Sequence, residues 1–421
     1  MLRWAFLPEC EAPAEGWSVK PFTIIAKVIA GQSPPSETYN GKGDGLPFLQ
    51  GNGDFSFKNP VPTLWCSAPA KTALKGDTLI SVRAPVGEVN RADREYAIGR
   101  GLAAVRADGC DSDFLHHALQ RWRWSLQRVA QGTTFDAVTA RHFAQLRVAI
   151  PREQSEQAAI ARILDAVDTA LERTRAAVER AREIKRALFQ RVLTEGLRGE
   201  AQRKTAIGLV PRSWHVVPVS SVVASFQYGL SVPMEQKGKL SILRMGNIQN
   251  GEVVLADLKY VSLPDKLVAP YLVKRGDVLF NRTNSQEWVG KVGIFRSDTP
   301  AVFASYLIRL LPDRAKVDKY YLGHVLASYS AQCRIKRYAT PGVQQVNINA
   351  TNLGKVLIPL PTGEDGLREQ RDIAALLEGA DAVVRRYEPV LAAQQSLKAS
   401  LMHDLLTGRV RVRNEAKAAA S

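Results

Sequence analysis

Two polar stretches carry side chains whose chemistry suits a polyanion or the edge of a base. "NRTNSQEW" (281–288) supplies Arg282, Asn284 and Gln286, and "TPGVQQVNIN" (340–349) supplies Gln344, Gln345 and Asn347. Arginine offers a forked donor to guanine, asparagine and glutamine offer a donor beside an acceptor to adenine, and lysine or arginine meets phosphate. Lys336 and Arg337 of "CRIKRY" (333–338) are the phosphate candidates. Earlier in the chain "SVRAP" (81–85) and "GTTFDAVTARH" (132–142) are similar polar stretches, with Arg83, Thr133 and Arg141 as candidates. For the loop residues the alternative is an ordinary solvated loop, and for Lys336 and Arg337 an ordinary solvated helix face.

Covalent chemistry finds less support. The chain has no N-P-P-F or D-P-P-Y run to hold a flipped adenine, and no G-x-x-x-x-G-K-[ST] phosphate loop. "GKGDG" (41–45) leads into "LPFLQ" rather than a helix and reads as a flexible loop; "PDRAK" (312–316) reads as a turn. The four cysteines form no C-x-x-C pair, which argues against a zinc site or a disulfide framework. No metal-ligand set emerges, and no catalytic residue is assigned. His117 and His324 stand at matching places in two similar segments, so a structural role is expected for both.

The net charge is +16, and its distribution is uneven. Lys+Arg minus Asp+Glu gives 17 minus 14 for residues 1–151, 10 minus 9 for 152–200, 21 minus 9 for 201–362 and 9 minus 9 for 363–421. The excess sits in one globular segment, which points to a polyanionic partner there. No apolar run reaches the length of a membrane span, and the N-terminus has no secretion-signal pattern, so a cytoplasmic protein is expected.

The elements that must position these residues are written twice. "EQAAIARILDAVD" begins at Glu156 and "EQRDIAALLEGAD" at Glu369, an offset of 213 (369 minus 156). At that offset, without a gap, Gln157/Gln370, Ile160/Ile373, Leu164/Leu377, Asp168/Asp381, Lys185/Lys398, Leu188/Leu401 and Thr194/Thr407 are identical. The first copy places Ile160, Leu164, Val167, Leu171, Val178 and Leu188 on a seam stepping by four and three; the second places Ile373, Leu377, Val384, Leu391 and Leu401 there. That is heptad spacing, and the simplest partner for each seam is the other copy. Both helices start with a carboxylate, suited to the helix dipole, and both end near a glycine, Gly196 or Gly408. Pro389 falls inside the second copy and is expected to kink or split it.

The globular segments echo each other too. Trp17 aligns with Trp214, "LKGDTLIS" (74–81) with "VKRGDVLFN" (273–281), "PVGEV" (85–89) with "WVGKV" (288–292), "FLHHAL" (114–119) with "YLGHVL" (321–326), and "AQLRVAIP" (144–151) with "LGKVLIPLP" (353–361). "TLISV" and "VLFN" read as buried strands after a Gly-Asp turn, and the last pair as strands closed by proline. "DFLHHALQRWRWSLQRVAQG" (113–132) reads as a helix with Leu115, Leu119, Trp122, Leu126 and Val129 on one apolar face and Trp124 off it.

The two helix copies, the doubled layout and "IGLVPRSWHVVPV" (207–219) together resemble the specificity (S) subunit of type I restriction-modification systems over nearly the whole chain. The resemblance implies an α+β fold. Two duplicated α/β target recognition domains, 1–151 and 201–362, are separated by two long helices, 152–200 and 363–415, that form an intramolecular antiparallel coiled coil, with a tail at 416–421. It implies a non-catalytic subunit in which each domain reads one half of a bipartite double-stranded DNA target. The helices would set the spacing and dock adenine-N6 methyltransferase (M) subunits, with a restriction/translocase (R) subunit joining that core. S-adenosylmethionine, ATP and Mg would belong to those partners. From Glu156 to Thr194 a helix would run roughly 58 Å, about 17 base pairs, as an upper bound on the spacing of the half-sites. Two other readings remain at this stage: a self-sufficient methyltransferase or nuclease with unrecognised motifs, and a coiled-coil scaffold that reads no sequence.

Overall fold

The computed structural model describes residues 12–130, 138–341 and 345–412. The chain forms two compact units, one of Met1–Ala177 with Tyr387–Ser421 and one of Val178–Arg386. The two long helices, Gln154–Glu195 and Gly366–Leu405, therefore each give one half to either unit.

In the first unit, the strand Trp17–Pro21 pairs antiparallel with Arg147–Pro151, so the start and end of the globular segment close on each other. A four-stranded antiparallel sheet runs Ala26–Ala30, Leu102–Ala107, Thr78–Ser81, Val89–Arg91. A five-stranded sheet contains the parallel pair Leu46–Leu49 and Tyr96–Ile98. The helix Ser112–Ala130 buries Leu115, Leu119, Trp122 and Leu126, the stripe that its 3.6-residue periodicity marks. The side chains of Trp124 and Val129 lie outside the described part. Trp17 meets Phe114 edge-on at 6.4 Å, and this core continues onto Ile160 and Leu164 of the first long helix, Leu405 at the end of the second and Leu406 just beyond it.

The second unit repeats the plan. His215–Pro218 pairs antiparallel with Leu357–Leu360. The order Val223–Tyr228, Leu307–Pro312, Val278–Asn281, Val292–Ile294 matches the four-stranded sheet strand for strand, and two short strands extend it. A parallel pair, Leu240–Leu243 with Ala301–Phe303, recurs as well. Trp214 meets Tyr321 edge-on at 6.4 Å, and the core takes in Phe189, Val192 and Leu193 from one long helix and Ile373, Ala374 and Leu377 from the other.

Within each unit the two helix halves run antiparallel. In the first, the core joins 160–164 to 405–406, and further along Asp168 receives Lys398 at 2.7 Å. In the second, Lys185 binds Asp381, and further along 189–193 shares a core with 373–377. Rising numbers on one helix meet falling numbers on the other, the pairing of an antiparallel coiled coil. Ile160, Leu164, Leu171, Val178, Ile373, Leu377 and Val384 are buried on this seam, while Val167, Leu188, Leu391 and Leu401 are half-buried.

Pro389 does not split the second helix, which continues unbroken from Gly366 to Leu405. The proline removes the amide that would meet the Arg385 carbonyl. Residue 389 is exposed, which leaves solvent room to compensate for the lost bond, and the turns on both sides keep the helix continuous. The "GKGDG" stretch is a turn pinned by Asn40, whose Oδ1 accepts from the amides of Lys42 (3.1 Å) and Asp44 (3.0 Å). "PDRAK" is likewise a turn, closed by Lys316 on Asp313 at 3.2 Å.

Candidate nucleic-acid interface

Each unit closes a polar loop with the same hydrogen bond. In the first, the Gly87 amide donates to the Ser81 carbonyl (2.9 Å); in the second, Gly290 donates to Asn281 (2.8 Å). Both glycines are left-handed, φ 86° and 85°, which lets the chain turn back into the next strand. A second bond ties each loop to the stretch before the closing strand: Val138 amide to Val82 carbonyl, and Ile348 amide to Arg282 carbonyl, each 2.8 Å. The two polar stretches of each globular segment, distant in sequence, thus meet at one place.

In the second unit this meeting is a three-stranded sheet, Thr283–Asn284 beside Val346–Asn347 beside Thr340–Pro341. The backbone of Arg282 is held on both sides, its amide donating to Tyr306 at 3.0 Å. Its guanidinium lies over the Tyr228 ring, 5.1 Å from the centroid, and reaches the Ser305 carbonyl at 3.3 Å. Asn284 is half-buried and caps the turn through the Ser285 amide (2.8 Å). Gln286, Gln345, Lys336 and Arg337 are exposed, and Lys336 Nζ reaches the Glu287 carbonyl at 3.4 Å. Gln344 lies outside the described residues. Arg334, in the same basic run, turns inward instead and donates to the Leu357 carbonyl at 3.0 Å.

Periodicity and motif did not mark three residues of this patch. Lys291 stacks 3.3 Å from the centroid of the Trp288 ring; burial lowers its pKa, Glu287 opposes that and Lys336 adds to it. Tyr228 comes from a distant strand and also receives the Ala350 amide at 3.1 Å. Only the repeated "WVGKV" hinted at Trp288 and Lys291, and nothing local marks Tyr228. In the first unit Arg83 is exposed on its loop, and Arg141 is exposed on the short helix Ala140–Ala144. Thr133 lies outside the described residues.

A different set of charges anchors each globular segment on the helices. His117 is fully buried, with Nε2 3.0 Å from Asp165 and Nδ1 4.0 Å from Asp168; Arg91 approaches Asp165 at 3.5 Å. His324 repeats this, with Nε2 2.7 Å from Glu378 and Nδ1 4.0 Å from Asp381, and Arg296 pairs with Glu378. Burial works against ionisation of Glu378, yet the bonds from His324 and Arg296 bring its carboxyl down to about 2. Asp165 is lowered in the same way, by His117 and Arg91 against burial. His324, Glu378 and Asp381 place three ligand atoms within 4.8 Å of one another. Arg296 and Lys185 already engage these carboxylates, so the chain supplies its own counter-charge.

Gln157 and Gln370 make the same joint twice. Gln157 accepts from the Asp111 amide (2.8 Å) and donates to the Pro151 carbonyl (2.8 Å); Gln370 accepts from Asp318 (2.9 Å) and donates to Pro361 (3.0 Å). The neighbouring glutamates diverge. Glu156 forms a two-point ion pair with Arg411 at 2.6 and 2.7 Å, whereas burial raises the pKa of Glu369. Arg198, one repeat length before Arg411, lies 3.9 Å from Asp365.

Among the described residues no helix is long and apolar enough to cross a membrane. Residues 14–180 and 212–385 each match the family model of the type I restriction modification DNA specificity domain. The MjaX specificity subunit of a type I restriction enzyme from Methanocaldococcus jannaschii is 37% identical over 174 residues, a stretch that spans 41% of either chain. The EcoBI specificity subunit from Escherichia coli is 21% identical over 94% of this chain and 86% of its own length. The crystal structure of the type I restriction-modification S subunit from M. genitalium shares the fold, with a TM-score of 0.64 at 15% identity over 92% of this chain and 96% of that one. With both globular segments matched, and the repeated sheet order and helix pairing carrying the same duplication, the chain belongs to the type I restriction-modification DNA specificity family and holds two recognition domains.

Proposed function

We propose that each recognition domain reads one half of a bipartite double-stranded DNA target, and that the paired helices set the distance between the halves and dock methyltransferase (M) subunits. The reading rests most on one observation: the polar stretches of each domain converge on the same two backbone bonds, Gly87 to Ser81 with Val138 to Val82, and Gly290 to Asn281 with Ile348 to Arg282. A duplicated loop pair, bearing arginines in both domains and amide side chains in the second, suits two separate base-reading events. The chain itself is non-catalytic in this reading. S-adenosylmethionine, ATP and Mg act in the M subunits and in a restriction/translocase (R) subunit, and the complex works in the cytoplasm.

The test is reconstitution with the M subunit, followed by mapping of N6-methyladenine on random-sequence DNA. Methylation at a split sequence with an unread middle is the expected result. Methylation by the isolated chain, or methylation by the complex without sequence preference, would overturn the proposal.

A further inference from the structure

The three-stranded sheet of the second domain sets a row of polar side chains across its strands, because Asn347 is the register partner of both Thr283 and Thr340. Side chains opposite one another across a ladder share a face. Thr283 is 8% exposed, Asn347 is half-buried and Thr340 is exposed, so the row runs from the interior outward. The Thr283 hydroxyl donates to Asn347 Oδ1. That bond fixes which way the amide faces, and among the described residues no acceptor meets Nδ2.

We propose that Asn347 is a specificity-determining residue of the second half-site, presenting Nδ2 as a fixed donor to a keto base, guanine through O6 or thymine through O4. The inference rests on the DNA-reading function proposed above. An asparagine free at both amide atoms favours adenine, accepting from N6 while donating to N7. Here Thr283 already occupies Oδ1, so the amino group of adenine or cytosine meets a weakened acceptor, and a lone keto oxygen matches the remaining donor. The sheet supplies the rigidity that a single-atom discrimination requires. Arg282, one residue before Thr283 and stacked on Tyr228, stands beside this row, and Lys291 and Lys336 add positive charge for the backbone.

The experiment uses the full chain with its M subunits and maps methylated sites for the wild type, Asn347→Asp and Thr283→Val. Aspartate replaces the donor by an acceptor, so one position of the second half-site should shift from a keto base to cytosine or adenine, by about tenfold in preference. Valine frees Oδ1 and should move the same position toward adenine. The first half-site, read by the other domain, stays unchanged and reports folding. An unchanged second half-site in Asn347→Asp overturns the proposal. If Asn347→Asp abolishes methylation altogether, Thr283→Val decides: a shift toward adenine supports the proposal and an unchanged target overturns it. A wild-type complex with no split target would instead defeat the DNA-reading function itself.

Discussion

At Glu378 burial and pairing pull in opposite directions, and pairing wins. The carboxyl titrates at about 2 against an ordinary value of 4.5, because His324 and Arg296 bond its charged form. A lowered carboxylate pKa contributes stability that is fully present above the unfolded value and is lost as pH falls from about 4.5 toward 2. Glu378→Gln should therefore destabilise residues 178–386 at neutral pH by up to about 3 kcal/mol, with the difference from wild type shrinking across that acid window. Urea unfolding at a series of pH values, with hydrogen exchange to localise the effect, measures this. A deficit that persists unchanged to pH 2 would show that the glutamine disturbs packing rather than charge. The sequence marked His117 and His324 as repeat partners but not Asp165 and Glu378, the nearest acidic groups on the helices. Asp168/Asp381 and Lys185/Lys398 were legible as identical pairs. That each aspartate binds the lysine of the other copy was not, because a gapless alignment matches like with like, while an ion pair joins unlike residues through the fold.

At the scale of elements, the long helices were legible because heptad spacing persists for many turns, and the strands around the Gly-Asp turns because short apolar runs stop at turn residues. The small sheet that carries Thr283 and Asn347 was not legible. Its strands are two residues long and largely polar, and Thr283–Asn284 pairs across more than fifty intervening positions, so neither pattern nor propensity marks them. Pro389 is the reverse case, a strong local break signal that does not split the helix. An interior proline is less favourable than alanine by about 3 kcal/mol in a helix. Water reaches this site and part of that cost is already relieved, so Pro389→Ala should stabilise the chain by about 1–2 kcal/mol without lengthening the helix. Thermal unfolding followed by far-UV circular dichroism checks this. A variant that melts at or below the wild-type temperature would mean that the neighbouring residues have adapted to the proline.

For the whole molecule, the repeat was the most informative feature, because one offset carries Gln157 onto Gln370, Asp168 onto Asp381 and Lys185 onto Lys398, and each of these pairs performs the same task in its own unit. The proposed spacer role makes a demand on this arrangement that no single domain makes. Seven residues preserve the heptad seam, so a matched heptad inserted into both helices should keep each apolar position facing its partner. Such an insert adds about 10 Å of helix, equivalent to at most about three base pairs of DNA. The expected outcome is a target with both half-sites unchanged and an unread middle longer by one to about three base pairs. Inserting four residues into one helix alone breaks the pairing of Lys185 with Asp381 or of Asp168 with Lys398, depending on the site, and should lower methylation without producing a new spacing. The measurement is the methylated sequence made by the reconstituted complex of each variant. If the matched insert methylates the wild-type target with its original gap, the helices do not set the distance and their repeated pairing serves the stability of each unit alone.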